Sequence, residues 1–301
     1  MPIIIEPESR EAWLALKASD VSSTEVASLY GEGYQTEFEL YHAKKSGASI
    51  EIEDNERMKW GRRLQDVIAA GIAEDEGWQI KPLTCYARHD TQRGMGASFD
   101  YEVIFNDGVK GIMEIKAVDY LIHRDDWIDD SDYKEAPVHI EMQLQQQLEI
   151  MGYERGVIAA LISGNKPVII IRERDKEMGK ELCERIEKFW QDIDANREPP
   201  IDFNRDTAML KKLFANAVPR TEILTGNNRA EFLCEEYQIA GQIESTGKKR
   251  KEAARNELLT LITDAEKAIV GPYTISAGIV NKAEYLCPAV SYRNMRIGRK
   301  K

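Results

Sequence analysis

Residues 98–118, SFDYEVIFNDGVKGIMEIKAV, constrain this chain more than any other stretch. Two apolar-rich runs meet at Asn106-Asp107-Gly108, and an Asp-Gly pair favours a tight hairpin turn. Side chains alternate faces along a strand, so Glu114 and Lys116 point to the same side. Asp100 stands near the start of the first strand, where the hairpin would bring it beside the second. Two carboxylates and one ammonium would then share one face. Carboxylates are the ligands that a hard divalent cation such as Mg²⁺ takes, and a lysine beside them can hold an attacking water or a substrate phosphate. A solvated face is the plainer reading. Against it, Gly111, Ile112 and Ile115 make the second strand apolar enough to be buried, where unpaired charge is costly.

The remaining chemistry is bounded by composition. At 301 residues the chain holds one large domain or a core with an extension. The opening MPIIIEPESREAW has no basic region followed by an apolar run, and no segment reaches the length of a membrane span, so no export signal and no membrane association are expected. Four scattered cysteines, without a Cys-x-x-Cys pair, disfavour a four-cysteine zinc site or iron–sulfur cluster and suit reduced cytosolic thiols. A formal net charge of −11 argues against coating nucleic acid by bulk attraction. A local basic groove remains compatible with it.

In chain order, a helix is expected over residues 8–18. A second should start near Ser22 or Ser23 and end by Gly31, with Ser22, Ser23 and Thr24 as plain caps or as a phosphate-binding helix terminus. A third covers 34–45. The run NERMKWGRRLQDVIAAGIAEDE should form a long helix stopped by Gly77, with Met58, Leu64, Ile68 and Ile72 on its apolar face and close packing at Gly61. Residues 78–88 read as one edge strand, 91–96 as a loop, and the acid-rich 123–135 as a surface loop. Pro137 opens a helix that Gly152 ends, with His139 and Gln143 on one face. Strands at 155–162 and 167–172 pair antiparallel, and a helix follows over 176–195. The order predicts an α/β fold, helices flanking a mixed sheet. Beyond Pro200 the texture changes to a short helix at 207–216, a long polar helix over about 229–269 with Lys248-Lys249-Arg250-Lys251 near its middle, strands at 273–277 and 289–297, and a basic end at Arg293, Arg296, Arg299, Lys300 and Lys301.

Together these motifs resemble the phage λ exonuclease-like group, the YqaJ-type viral recombinases of the PD-(D/E)xK nuclease superfamily. The resemblance covers most of residues 10–195. It rests on S-S-T-E-V-A with a following Tyr-x-Thr, on M-x-W-G-x-x-L, G-A-S-F-D and M-E-I-K, and on P-x-x-I-x-x-Q-x-Q-x-Q-L. It implies a restriction-endonuclease-like core over 1–205 and a mainly helical extension over 206–301. It implies a metal-dependent 5′-to-3′ exonuclease that digests linear duplex DNA to mononucleotides and leaves a 3′ single strand for a single-strand annealing protein. It further implies a homotrimeric ring around the DNA, and a phage- or prophage-derived protein of the bacterial cytoplasm. By position, Asp100, Glu114 and the Ile115 carbonyl would bind Mg²⁺ (or Mn²⁺), two ions per site. Lys116 would activate the water, Gln143 would help position it, and Ser22, Ser23 and Thr24 would hold the 5′-phosphate, with His139 near the DNA. Two departures stand out. Gln65, with Asp66 beside it, replaces the usual glutamate and would weaken the second metal. Ile140 replaces a usual tyrosine, with His139 adjacent. The rival readings are a structure-specific or restriction-type endonuclease, and a non-catalytic DNA-binding or scaffold subunit. The extension would brace the ring or recruit the annealing protein.

Overall fold

The computed structural model describes residues 1–47 and 55–282, with positions 289, 292, 293, 295 and 297 beyond them. The chain forms two compact units, Met1–Met209 and Leu210–Lys301.

The first unit opens with β1 (Ile3–Ile5), α1 (Arg10–Ser19) and β2 (Val21–Ser22), then a 3₁₀ helix (Val26–Tyr30), α2 (Glu37–Ser46) and α3 (Glu56–Glu76). Next come β3 (Gln79–Pro82), β4 (Tyr86–Arg88), β5 (Met95–Ser98), β6 (Tyr101–Ile104) and β7 (Lys110–Val118). They are followed by α4 (Tyr120–Asp126), β8 (Ile128–Asp129), β9 (Lys134–Glu135), α5 (Val138–Met151), β10 (Arg155–Ile162), β11 (Lys166–Glu173) and α6 (Lys176–Asp194). A five-stranded mixed sheet has the order β11-β10-β7-β6-β3, and a four-stranded sheet the order β1-β4-β5-β2. α7 (Thr207–Leu213) crosses the boundary between the units. The second unit holds α8 (Asn228–Ile262) and a hairpin of β12 (Lys267–Val270) and β13 (Tyr273–Ser276).

The hairpin forms as its turn residues require. β6 and β7 pair antiparallel from Tyr101↔Met113 to Ile104↔Lys110, and Gly108 takes the left-handed φ of +82°. β7 then pairs with β10 in parallel, and α5 makes the crossover between them. Both faces of β7 are covered. Met113 and Ile115 pack with Ile68, Ala69 and Ile72 of α3. Ile112 and Val118 pack with Leu144 and Leu148 of α5, in a cluster that reaches Leu182, Ile186 and Phe189 of α6. Glu114 and Lys116 share the face of Ile112 and Val118, so they look toward α5.

Close packing sets the β7–β10 spacing at Gly111, where a Cβ would fall inside the contact distance of the Arg155 carbonyl oxygen and the Phe105 ring. Backbone cannot yield as a flexible side chain does. Gly111→Ala is therefore expected to destabilise the fold by about 3 kcal/mol, read as a lower urea midpoint at unchanged slope.

Several expectations fail for definable reasons. No α-helix starts at Ser22 or Ser23. Val21 and Ser22 instead pair in parallel with Met95 and Gly96, and the Glu25 carboxylate accepts both the Ser22 N–H and its hydroxyl. Residues 78–88 are two strands: β3 edges the five-stranded sheet and β4 lies inside the other. Within 91–96, Met95 and Gly96 belong to β5. Residues 123–135 are no loose loop, since Trp127 is buried and Asp129 gathers Lys166 at 2.6 Å and His123 at 3.2 Å. A Cβ at Gly61 would meet open space, and Met58 and Trp60 are exposed, because α3 packs on the sheet only from Leu64 onward. The strand expected over 289–297 and the basic end fall for the most part outside the described residues.

Candidate active site

β6 ends its pairing with β7 at Met113, which leaves the next edge of β7 open. Asp100, just before β6, fills it: its Oδ2 accepts the Ile115 N–H at 2.8 Å. In a strand the N–H and C=O of one residue share an edge, so the Ile115 carbonyl points the same way. The other Asp100 oxygen accepts the Gln65 amide of α3 at 2.7 Å. Asp66 turns away and accepts the Tyr101 hydroxyl.

Glu114 is 5 % exposed and held from three directions. Its Oε1 accepts Lys116 Nζ at 2.7 Å and Gln143 Nε2 at 2.6 Å, and its Oε2 accepts Gln147 Nε2 at 2.8 Å. Lys116 Nζ also donates to Gln143 Oε1 at 3.0 Å. The glutamines of α5 divide by helical position. Gln143 and Gln147, one turn apart, face the carboxylate. Gln146 ties the Val21 and Gly96 carbonyls, and Gln145 fastens the start of α6 through Glu173 O and Asp175 N.

The charges do not balance. Two carboxylates against one ammonium leave one negative charge in a largely buried setting, which calls for a proton or a cation. Burial, and after it the charge of Glu114, push the Asp100 carboxyl up to about 7. Desolvation pulls the Lys116 ammonium down, but Glu114 and then Asp100 outweigh it and hold Lys116 above the ordinary lysine value. Two carboxylates and a backbone carbonyl form an all-oxygen donor set that fits Mg²⁺.

Asp100, Glu114, Ile115, Lys116, Gln143 and Gln65 are thus brought together. His139 shares their α5 face, and its Nε2 pairs with the Tyr34 hydroxyl at 2.9 Å. Burial, followed by the Lys116 charge, lowers its pKa. Ser22 and Ser23 are buried and Thr24 is exposed. The Ser22 hydroxyl is engaged by Glu25, whose carboxylate also takes the buried Lys44 at 2.8 Å, and the Ser23 N–H donates to Gly96 O. Sequence reasoning gave no role to Gln147 or Tyr34. The first was signalled by its four-residue spacing from Gln143, the second by no pattern of its own.

His89, Glu149 and Cys183 form a separate cluster whose ligand atoms lie within 4.8 Å of one another. His89 Nδ1 accepts the Thr91 and Gln92 N–H groups, so a neutral ring carries its hydrogen on Nε2, toward Glu149. Burial pushes the Cys183 thiol up to about 11. With His89 Nδ1 engaged and the thiol held protonated rather than as the metal-binding thiolate, the cluster reads as packing.

The site thus sits in a mixed α/β fold, where a mixed sheet sets two carboxylates and a lysine against a glutamine-bearing helix. Within it, residues 12–154 match the model of the YqaJ-like viral recombinase domain. The chain is 26% identical over 274 residues to the uncharacterized protein YqaJ of Bacillus subtilis (strain 168), covering 88% of this chain and 82% of that protein. It is also similar to the crystal structure of an alkaline exonuclease, LHK-Exo, from Laribacter hongkongensis, with a TM-score of 0.52 and 21% identity over 66% of this chain and 99% of that one. The latter likeness is one of fold. Among the described residues, no helix is long and apolar enough to cross a membrane.

Proposed function

We propose that this protein is a Mg²⁺-dependent exonuclease that degrades linear double-stranded DNA from the 5′ end, releasing mononucleotides and leaving a 3′ single strand for an annealing protein. The observation that carries the reading is the cluster of the buried Glu114 with the part-buried Asp100 and Lys116, with its uncompensated negative charge and all-oxygen donor set. Asp100, Glu114 and the Ile115 carbonyl would hold the cation. Bound Mg²⁺, or Mn²⁺ in its place, would acidify a water and offset charge on the scissile phosphate. Lys116 donates a hydrogen bond to the oxygen of that water, while Gln143 accepts from the Lys116 ammonium and fixes it. A second ion is expected to bind more weakly, because Gln65 offers an amide in place of a carboxylate. The 5′-phosphate is assigned to the Ser22-Ser23-Thr24 turn, where Thr24 alone is exposed to meet it. The exposed half of α3 brings Arg57, Lys59 and Arg63 to the duplex backbone, a local basic surface on an acidic chain. A homotrimeric ring would keep the enzyme on its substrate.

The experiment compares linear and covalently closed circular forms of one plasmid in Mg²⁺. The exonuclease reading expects loss of the linear form alone. Nicking or linearisation of the circle would favour an endonuclease.

The raised Asp100 carboxyl gives a pH signature. The metal-free folded state holds this proton more firmly than the unfolded chain does, so the contribution of Asp100 to folding stability is fullest below the ordinary aspartate value. It falls as pH rises from the ordinary aspartate value toward about 7. Mg²⁺ competes with the same proton, so its gain in Tm should grow from pH 5.5 to 8. Thermal melts across that range check it, and a gain independent of pH would remove Asp100 from the metal site.

A further inference from the structure

Tyr34 combines two properties rarely found together. It is 87% exposed, yet its hydroxyl is hydrogen-bonded to His139 Nε2 at 2.9 Å and its ring meets the imidazole edge-on at 4.7 Å. The backbone around it is pinned from distant parts of the chain. Arg205 donates to the carbonyls of Gly31 (3.2 Å) and Gly33 (2.7 Å). Arg185 holds Leu29 O at 2.9 Å and Glu37 at 2.6 Å. Thr36, which caps α2 through a reciprocal box with Glu39, donates its hydroxyl to the fully buried Asp206. Gly33 packs so tightly on the Ser28 backbone that a Cβ would not fit. An exposed aromatic ring on a segment fixed at both ends is preorganised for a ligand that the chain itself does not supply.

Its place says which ligand. His139 lies one turn before Gln143 on α5, and Gln143 touches Lys116. Both rings of the pair lie within electrostatic range of the Lys116 ammonium. The Tyr34 face therefore borders the reaction centre without reaching the carboxylates. A flat π surface beside a phosphodiester-cleaving centre suits a nucleobase, which stacks whatever its identity. We infer that Tyr34, held by His139, stacks on the base of the terminal nucleotide and so seats its phosphate over Asp100, Glu114 and Lys116. The inference rests on the nuclease reading and adds to it a specific contact with the base.

The test uses the full-length protein and a 5′-phosphorylated duplex with 2-aminopurine as its terminal base. Fluorescence is followed on binding in Ca²⁺, and kcat and KM are measured separately in Mg²⁺. Wild type should quench the probe. Tyr34→Ala should lose the quench and raise KM about tenfold, with kcat changed little. Tyr34→Phe keeps the ring and should keep part of the quench. Arg205→Ala, which leaves both rings untouched but frees Gly31 and Gly33, should raise KM in the same direction. A Tyr34→Ala protein with wild-type quench and KM would overturn the inference while leaving the nuclease reading intact. Wild-type protein that neither binds nor digests the duplex would overturn the nuclease reading and the stacking contact together.

Discussion

Lys116→Ala is expected to slow single-turnover digestion of a 5′-phosphorylated duplex by roughly 10²–10³-fold, the range for removing one preorganised donor from a reaction centre. The same change should destabilise the metal-free fold. Among the described residues Lys116 is the one cation that donates to Glu114, at 2.7 Å, and its loss leaves a carboxylate that is 5 % exposed with only amide donors. Removing one partner of a buried pair costs about 3–5 kcal/mol. The two effects separate on adding Mg²⁺, which can offset the lost charge but not the lost donor to the water. Stability should largely return and activity should not. Full activity in Lys116→Ala would exclude this residue from the chemistry.

Gln65→Glu should act in opposite directions on the free and metal-loaded protein. Gln65 now donates to Asp100 Oδ1 at 2.7 Å. A glutamate would remove that bond and place a third carboxylate beside two others, in a site whose Asp100 carboxyl is already pushed upward. The metal-free variant should melt at a lower temperature. A third oxygen anion also strengthens the donor set, so half-saturating Mg²⁺ should fall by about tenfold, the scale on which groups around a metal change its affinity. Melts over a Mg²⁺ titration read both. A variant with unchanged Tm and unchanged Mg²⁺ response would show that Gln65 stands outside the metal's reach.

The parts of this molecule legible in its sequence are those where local pattern and tertiary demand agree. The Asn-Asp-Gly turn required left-handed backbone at Gly108 and took it. The Pro137-to-Gly152 helix and the β10–β11 hairpin carried their own start and stop signals. Asp100, Glu114 and Lys116 were visible as a set because strand alternation fixes their face. What local pattern missed was settled elsewhere in the chain. The hydroxyl run at Ser22 looks like a helix cap, but the free edge of β5 claimed Val21 and Ser22 as a strand. The acids of 123–135 look solvated until Lys166, far along the chain, is placed on Asp129. Gln65 looked like a weakened metal ligand, and its hydrogen bond to Asp100 became visible only once α3 and the hairpin were folded together. Tyr34 depends on Arg205 and Asp206, and no local pattern announces a partner so distant.

The proposed function has the Asp100, Glu114 and Lys116 cluster hydrolyse DNA from a 5′ end with a divalent metal. The most direct measurement is a digestion time course on linear duplex carrying a 5′-phosphate at one end and a 5′-hydroxyl at the other, run in Mg²⁺ and in EDTA. Mononucleotides are expected from the phosphorylated end, in Mg²⁺ only, with the opposite strand left intact. Cleavage that persists in EDTA, or intact duplex in Mg²⁺ despite bound protein, would contradict it.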